Sequence, residues 1–287
     1  MLTINTNPAS LAAQRNLATN GMGLQTTMER LSSGLRVNSA KDDAAGLAIS
    51  DRMSAQVRGM NTASRNASDG ISRLQVADGA MGKISDNLQR MRELAVQSAN
   101  GTLNNTDRAN LNREYAELAD EVGRVVVDTK YNGNALFDAT NKSVNLQVGA
   151  NAADTLTSNL TSDGTAAGDD LQTSLGGTTV AAIATALGDI TSTATATTAI
   201  TALDTNIDVV SNLRASAGAG QSRLEQVISN LETQATNLSA ARGRILDTDF
   251  AKETASLTRM QILQQAGTAM LSQANQLPQG VLSLLKG

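Results

Sequence analysis

The chain has 287 residues, a net charge of -4, no His, no Cys and no Trp, and its aromatic side chains are confined to Tyr115, Tyr131, Phe137 and Phe250. These absences exclude disulfides, thiolate zinc sites and Cys- or His-based catalysis, and they leave any core to Leu, Ile, Val, Met and Ala, a palette suited to helix–helix seams. No Lys or Arg lies between Lys142 and Arg214, a stretch with seven Asp and no Glu, so a mildly basic framework flanks an acidic middle and neither carries the basic stripe that nucleic-acid binding needs.

The first residues show no basic n-region followed by an apolar h-region, and no apolar run approaches membrane-spanning length, so neither a cleaved Sec-type signal nor membrane insertion is expected. Asn7 before Pro8 reads as an N-cap and first helical residue, because Asn accepts from an orphan backbone N–H and Pro lacks one. In the helix that follows, Leu17, Leu24 and Leu31 recur every seven residues, and Met28 and Leu35 fill the intervening heptad position. Gly34 and the polar run Asn38 to Asp43 break it. From about 43 the pattern resumes through Met53, Val57, Met60, Ala67, Ile71, Leu74 and Met81, then shifts frame into Ile84, Leu88, Met91 and Ala95. No proline interrupts it, which predicts a helix to about 99, roughly 80 Å long.

A turn at Asn100 to Asn105 precedes a shorter helix, capped by Thr106 and carrying Leu111, Tyr115, Leu118, Val122 and Val125, which folds back on the long one. Val144, Leu146 and Val148 alternate with polar residues as in a half-buried strand, and with Ala135 to Phe137 they suggest a small hairpin. Residues 150 to about 200 are low-complexity Ala, Thr, Ser, Gly and Asp, read as a loosely structured insert with short helices around 180–187 and 194–203. The clearest period runs through Leu203, Val210, Ala217, Leu224, Leu231, Leu238 and Ile245, one residue in seven. A last helical pattern starts after Asp249 with Met260, Leu263, Gly267, Met270, Ala274 and Leu277; Pro278 is expected to end it, leaving the apolar tail Val281, Leu282, Leu284 and Leu285.

Long amphipathic helices expose stripes that water disfavours, so the two flanks are expected to pair as an elongated antiparallel coiled-coil bundle, mainly α, with a small β-hairpin and a short insert. The expected organisation is a coiled-coil domain of 43–149 and 202–246, a variable surface-exposed insert at 150–201, and terminal helices at 1–42 and 247–287. The seam falls to Met53, Val57, Met60, Ile71, Leu74, Met81, Leu88 and Met91 against Leu203, Val210, Leu224, Leu231, Leu238 and Ile245. The terminal segments, rich in small residues and marginal alone, are expected to fold when copies stack through Leu17, Leu24, Met28, Leu31, Met260, Leu263, Met270 and Leu277. A head-to-tail contact that does not close yields a helical filament. The acidic pairs Asp42–Asp43 and Asp169–Asp170 read as a helix-start cap and a solvated loop rather than catalytic or metal-binding carboxylates, because no nucleophile or second cluster accompanies them. No cofactor and no enzymatic activity are expected.

Four runs, taken in order, resemble bacterial flagellin: Leu31 to Arg52 (LSSGLRVNSAKDDAAGLAISDR), Leu88 to Asn100 (LQRMRELAVQSAN), Asn237 to Ile245 (NLSAARGRI), and Gln261 to Gly267 (QILQQAG) continuing to Gln273 to Pro278 (QANQLP). The similarity covers about 1–149 and 202–287, and the middle is much shorter than the outer domains many flagellins carry. The resemblance implies an extracellular flagellar filament subunit, exported by the flagellar type III route. Implied partners are copies of itself, hook-associated junction and cap proteins, an export chaperone on the C-terminal helix, and Toll-like receptor 5 in a host. Recognition by that receptor is implied for Gln89, Arg90, Glu93, Leu94 and Gln97, with Glu114 on the neighbouring helix. Arg90, Leu94 and Gln97 lie on a face offset from the Leu88, Met91 and Ala95 seam, and the same face suits packing on the next subunit. The alternatives are a hook–filament junction protein, disfavoured by the intact Gln261 to Gly267 run and the apolar end, and a cytosolic coiled-coil adaptor, which gives no reason for small-residue-rich ends.

Overall fold

A computed structural model describes residues 6–138, 143–159 and 171–286, with the side chains of 158–159, 173–174 and 277–286 outside the description. Its elements in chain order are α1 (Pro8–Ser33), α2 (Ala44–Ser98), α3 (Asn105–Asp128), β1 (Lys130–Tyr131), β2 (Asn134–Ala135), β3 (Ser143–Gln147), β4 (Thr155–Asn159), α4 (Leu171–Ser174), α5 (Val180–Leu187), α6 (Thr193–Leu246) and α7 (Phe250–Lys286). The architecture is mainly α, as the heptads predict. The chain divides into two compact units, unit 1 of Met1–Gln56 with Thr236–Gly287, and unit 2 of Val57–Ala235.

In unit 2, α2 and α6 run antiparallel, because their cross-helix pairs ascend on one and descend on the other: Asp78 accepts from Arg214 Nε at 2.9 Å, and Arg92 pairs with Asp204. Leu74, Met81, Leu88 and Met91 share one buried apolar core with Leu203, Val210 and Leu224, with Ile71 half-buried beside them, and Leu231 is buried further along α6. α3 joins that core through Tyr115, Ala119, Val122 and Val126. Its cap is Asn104 and not Thr106: Asn104 Oδ1 accepts from Asp107 N at 2.9 Å while Asp107 closes a reciprocal capping box. Arg108, itself buried, ties down the α2–α3 turn by donating to the carbonyls of Ser98, Asn100 and Leu103 at 2.8–3.0 Å.

Two expectations for the middle of the chain give way. β3 does pair, but with β4 from Ser143↔Asn159 to Gln147↔Thr155, while Ala135 belongs to a separate two-residue ladder with β1. Nor is the described part of the low-complexity stretch from 171 onward a loose insert. Leu171, Leu175, Ile183, Leu187 and Ile190 are buried in the same core, and α6 begins at Thr193, so Ala196 and Ala199 extend its buried stripe upstream of Leu203. Tyr115 fastens this region by donating to the Leu187 carbonyl at 2.7 Å. Gly123 lets α3 approach α5 closely, since a Cβ there would meet the Val180 backbone at 3.0 Å. The pair Asp169–Asp170 lies outside the described residues.

Unit 1 pairs α1 with α7. Asn7 caps α1 as expected, its Oδ1 accepting from Ser10 N at 3.1 Å, and Gly34 ends the helix in the left-handed region at φ 72°. The connection from α1 to α2 and that from α6 to α7 are laced together: Arg36 N donates to Leu246 O, Thr248 N donates to Gly34 O at 2.9 Å, and Leu35 bridges Asp247. Asp43 caps α2 through Gly46 N at 2.8 Å, whereas Asp42 closes the preceding loop by accepting from Asn38 N and from both the backbone and hydroxyl of Ser39. Asp249 accepts from Ala251 N and Lys252 N at the start of α7. This last helix does not stop at Pro278 but continues to Lys286. An interior proline costs one hydrogen bond, and the carbonyl it leaves, that of Ala274, accepts instead from Asn7 Nδ2 at 2.7 Å.

Candidate assembly and recognition surfaces

The residues assigned to assembly occupy one unit and are incompletely covered there. Leu17, Leu24, Leu31 and Met260 are half-buried between α1 and α7, with the Met260 thioether against Gly23 and Thr27. Met28, Leu263 and Met270 are 57%, 52% and 65% exposed, and Leu11, Met22, Phe250 and Ile262 are exposed beside them. The side chain of Leu277 and those of the apolar tail lie outside the description. Between the helices runs a groove of about 560 Å³, floored by Ala9, Ala12, Ala13, Asn16, Leu17 and Asn20 of α1 and walled by Leu263, Ala266, Gly267 and Met270 of α7. Small side chains keep it open, and apolar ones give it a surface that water covers poorly.

The seam residues that fall in unit 1, Met53, Leu238 and Ile245, are half-buried, as are Val57 and Met60 at the start of unit 2. Polar groups pin α1 to α7 where the spacing gave no signal: Ser10 Oγ to Asn275 Oδ1 at 2.8 Å and Asn20 Nδ2 to Met260 O at 2.8 Å. A lone Asn or Ser on a helix has no periodicity to betray it.

The assigned recognition residues form a surface in unit 2, with one exception. Gln89, Arg90, Glu93, Gln97 and Glu114 are exposed, and Arg90 links the helices by donating Nε and Nη2 to Glu114 Oε1 at 2.9 and 2.8 Å and Nη1 to Glu93 Oε2 at 2.9 Å. The hydrogen bond to Glu114 is the main reason the Arg90 guanidinium holds its proton more tightly than usual. Leu94 does not share this surface. It is 1% exposed and belongs to the core, because α2 packs against both α3 and α6 here and its buried stripe is wider than a single seam. Arg92, absent from the expected set, pairs with Asp204 beside it, and that bond depresses the Asp204 carboxyl.

Among the described residues there is no group of three or more His, Cys, Asp or Glu able to hold a metal ion, and no helix is long and apolar enough to cross a membrane. Two family models match the chain, the bacterial flagellin N-terminal helical region over residues 4–142 and the bacterial flagellin C-terminal helical region over 200–285. A flagellin of Halalkalibacterium halodurans is 47% identical, over 99% of this chain and 100% of its own. The flagellar filament 33 kDa core protein of Treponema phagedenis is 40% identical with the same coverage. Among solved structures, a putative flagellar hook-associated protein of Vibrio parahaemolyticus shares the fold at a TM-score of 0.52 and 16% identity, over 72% of this chain and 100% of that one. The chain belongs to the bacterial flagellins, structural subunits of the flagellar filament and not enzymes.

Proposed function

We propose that this flagellin polymerises through unit 1, whose terminal helices are completed by neighbouring copies. The supporting observation is the distribution of uncovered apolar surface: eight of the ten exposed large apolar side chains among the described residues lie in unit 1, along the α1–α7 pair and its approaches. Each such side chain buried in a polymer contributes about 1.5–3 kcal/mol against ordering entropy, enough in sum to drive association that the subunit alone cannot use. In this reading 1–42 and 247–287 line the filament interior and gain their full stability on assembly, whereas 43–149 and 202–246 hold the subunit together. Seeded polymerisation followed by sedimentation tests it. Long tubes are expected from the full chain, and polymerisation that survives deletion of 1–42 or 247–287 would overturn it.

The same reading carries export through the flagellar type III apparatus, a chaperone covering the C-terminal helix before export, junction and cap proteins meeting the ends, and an extracellular location. The exposed Arg90, Glu93, Gln97 and Glu114 array is the proposed contact for Toll-like receptor 5 in the free subunit and for a neighbouring copy in the filament. Leu94 supports it from the core. Arg90→Glu, which reverses the charge facing two carboxylates, is expected to abolish receptor signalling by monomer while unit 2 stays folded.

A further inference from the structure

We propose that Asn7 sets the register in which the two terminal helices pair, by giving the Ala274 carbonyl the donor that Pro278 withholds; the proposal rests on assembly through unit 1. The chain has two prolines: Pro8 directly follows Asn7, and Pro278 lies four residues after Ala274. Pro8 opens α1 and makes Asn7 its cap, while Pro278, without an N–H, leaves the carbonyl four residues earlier with no donor inside α7. Ala274 is 7% exposed, so water does little to satisfy that oxygen.

The Asn7 amide is fixed at both ends. Its Oδ1 accepts from Ser10 N at 3.1 Å and its Nδ2 donates to Ala274 O at 2.7 Å, an arrangement with no equivalent flip because the N–H needs the oxygen and the carbonyl needs the NH2. Ser10 Oγ, donating to Asn275 at 2.8 Å, reinforces the same end.

Apolar contacts do not choose this register alone. Ala and Gly make up half of the groove lining, and the larger side chains that meet across it, Leu17 against Gly267 and Met260 against Gly23, carry no polar group that a shift would leave unpaired. Asn20 cannot choose it either: the Met260 carbonyl it bonds lies in uninterrupted helix, and a slip of one turn, about 5.4 Å, would present an equivalent oxygen. The slip would deprive Asn7 of the vacant carbonyl and leave that carbonyl unmet. One buried Asn specifies register in coiled coils by the same asymmetry.

The test is a double-mutant cycle in the full-length chain with Asn7→Ser, Pro278→Ala and both together. Serine keeps a capping oxygen but removes the amide donor, and alanine restores the N–H for Ala274. The soluble subunit remaining after seeded polymerisation is measured. Asn7→Ser is expected to raise it about tenfold when residue 278 is Pro and less than about twofold when it is Ala. Should Asn7→Ser form no filament at all, recovery of filaments in the double variant supports the proposal and failure to recover overturns it. Equal effects in both backgrounds also overturn it, since Asn7 would then act as a cap alone. Failure of the unaltered chain to polymerise would count instead against assembly through unit 1. The cycle is then read as helix loss on heating of the same four chains, where the same non-additivity is required.

Discussion

Unit 2 buries its apolar side chains; unit 1 displays them. In unit 2, Leu74, Met81, Ile84, Leu88 and Met91 are fully covered, and a buried tyrosine is satisfied by a backbone carbonyl. In unit 1, the large apolar side chain buried among the described residues is Val37, and the helix pair is held by small residues, half-buried leucines and polar pins. Both are built from long helices with similar heptad spacing. The difference shows that spacing reports which face is apolar but not what covers it: one unit closes on its own chain, and the other leaves an apolar face uncovered.

The contrast is open to breaking by mutation, and the largest effect belongs to unit 2. Leu88→Ala should destabilise the subunit by about 2–5 kcal/mol in denaturant unfolding, because a fully packed site collapses only partly around the cavity. Burial, with a smaller contribution from Asp189, pushes the Tyr115 hydroxyl up to about 12. An acid whose pKa is raised on folding contributes stability that is complete below its unfolded value and is lost as pH rises above it. The subunit should therefore lose of the order of 2–3 kcal/mol between about pH 10 and 12, and Tyr115→Phe should flatten that window.

Changes in unit 1 should move monomer stability little and assembly greatly. Met28→Ser and Met270→Ser are expected to shift monomer unfolding by no more than about 0.5 kcal/mol, as for other exposed positions, while reducing filament yield several-fold. Peroxide offers the matching map: mass spectrometry of the oxidised monomer should find sulfoxide at Met22, Met28 and Met270 well before Met81 and Met91. Equal rates at both sets would erase the distinction between the units.

The smallest effect is acid sensitivity at the α1–α2 loop. Hydrogen bonds from the Ser39 hydroxyl, then from the Ser39 and Asn38 backbones, hold the Asp42 carboxyl below the usual aspartate range. A depressed carboxylate stabilises above its unfolded pKa and stops doing so as pH falls through the folded one. Amide protection of Asn38 and Ser39 should accordingly fall below about pH 4 in the native chain, and Asp42→Ala should remove that dependence.

The long helices were legible because every seventh residue repeats the same contact: α2 spans Ala44–Ser98 where the pattern predicts about 43–99. What escaped had no repetition to display. Leu171, Leu175, Ile183, Leu187 and Ile190 reach the core from separate short pieces, each contributing one or two side chains amid Ala and Thr, so no window holds a period. Val144 and Leu146 showed a strand but not its partner, which depends on the return of the chain at Thr155. Leu94 was misplaced because a helix with two neighbours buries more than one stripe. Pro278 misled for a different reason. The rule that proline stops a helix assumes that nothing else will bond the orphaned carbonyl, and here a side chain far away in sequence does so.

The lacing of the two connectors has a mechanical consequence. Gly34, Leu35 and Arg36 are bonded to Leu246, Asp247 and Thr248 across the strands of chain entering and leaving the α1–α7 pair. A single covalent tether would behave as a swivel. Two tethers clamped side by side resist rotation about either one, so within unit 1 the two chain segments that flank the helix pair twist together or not at all.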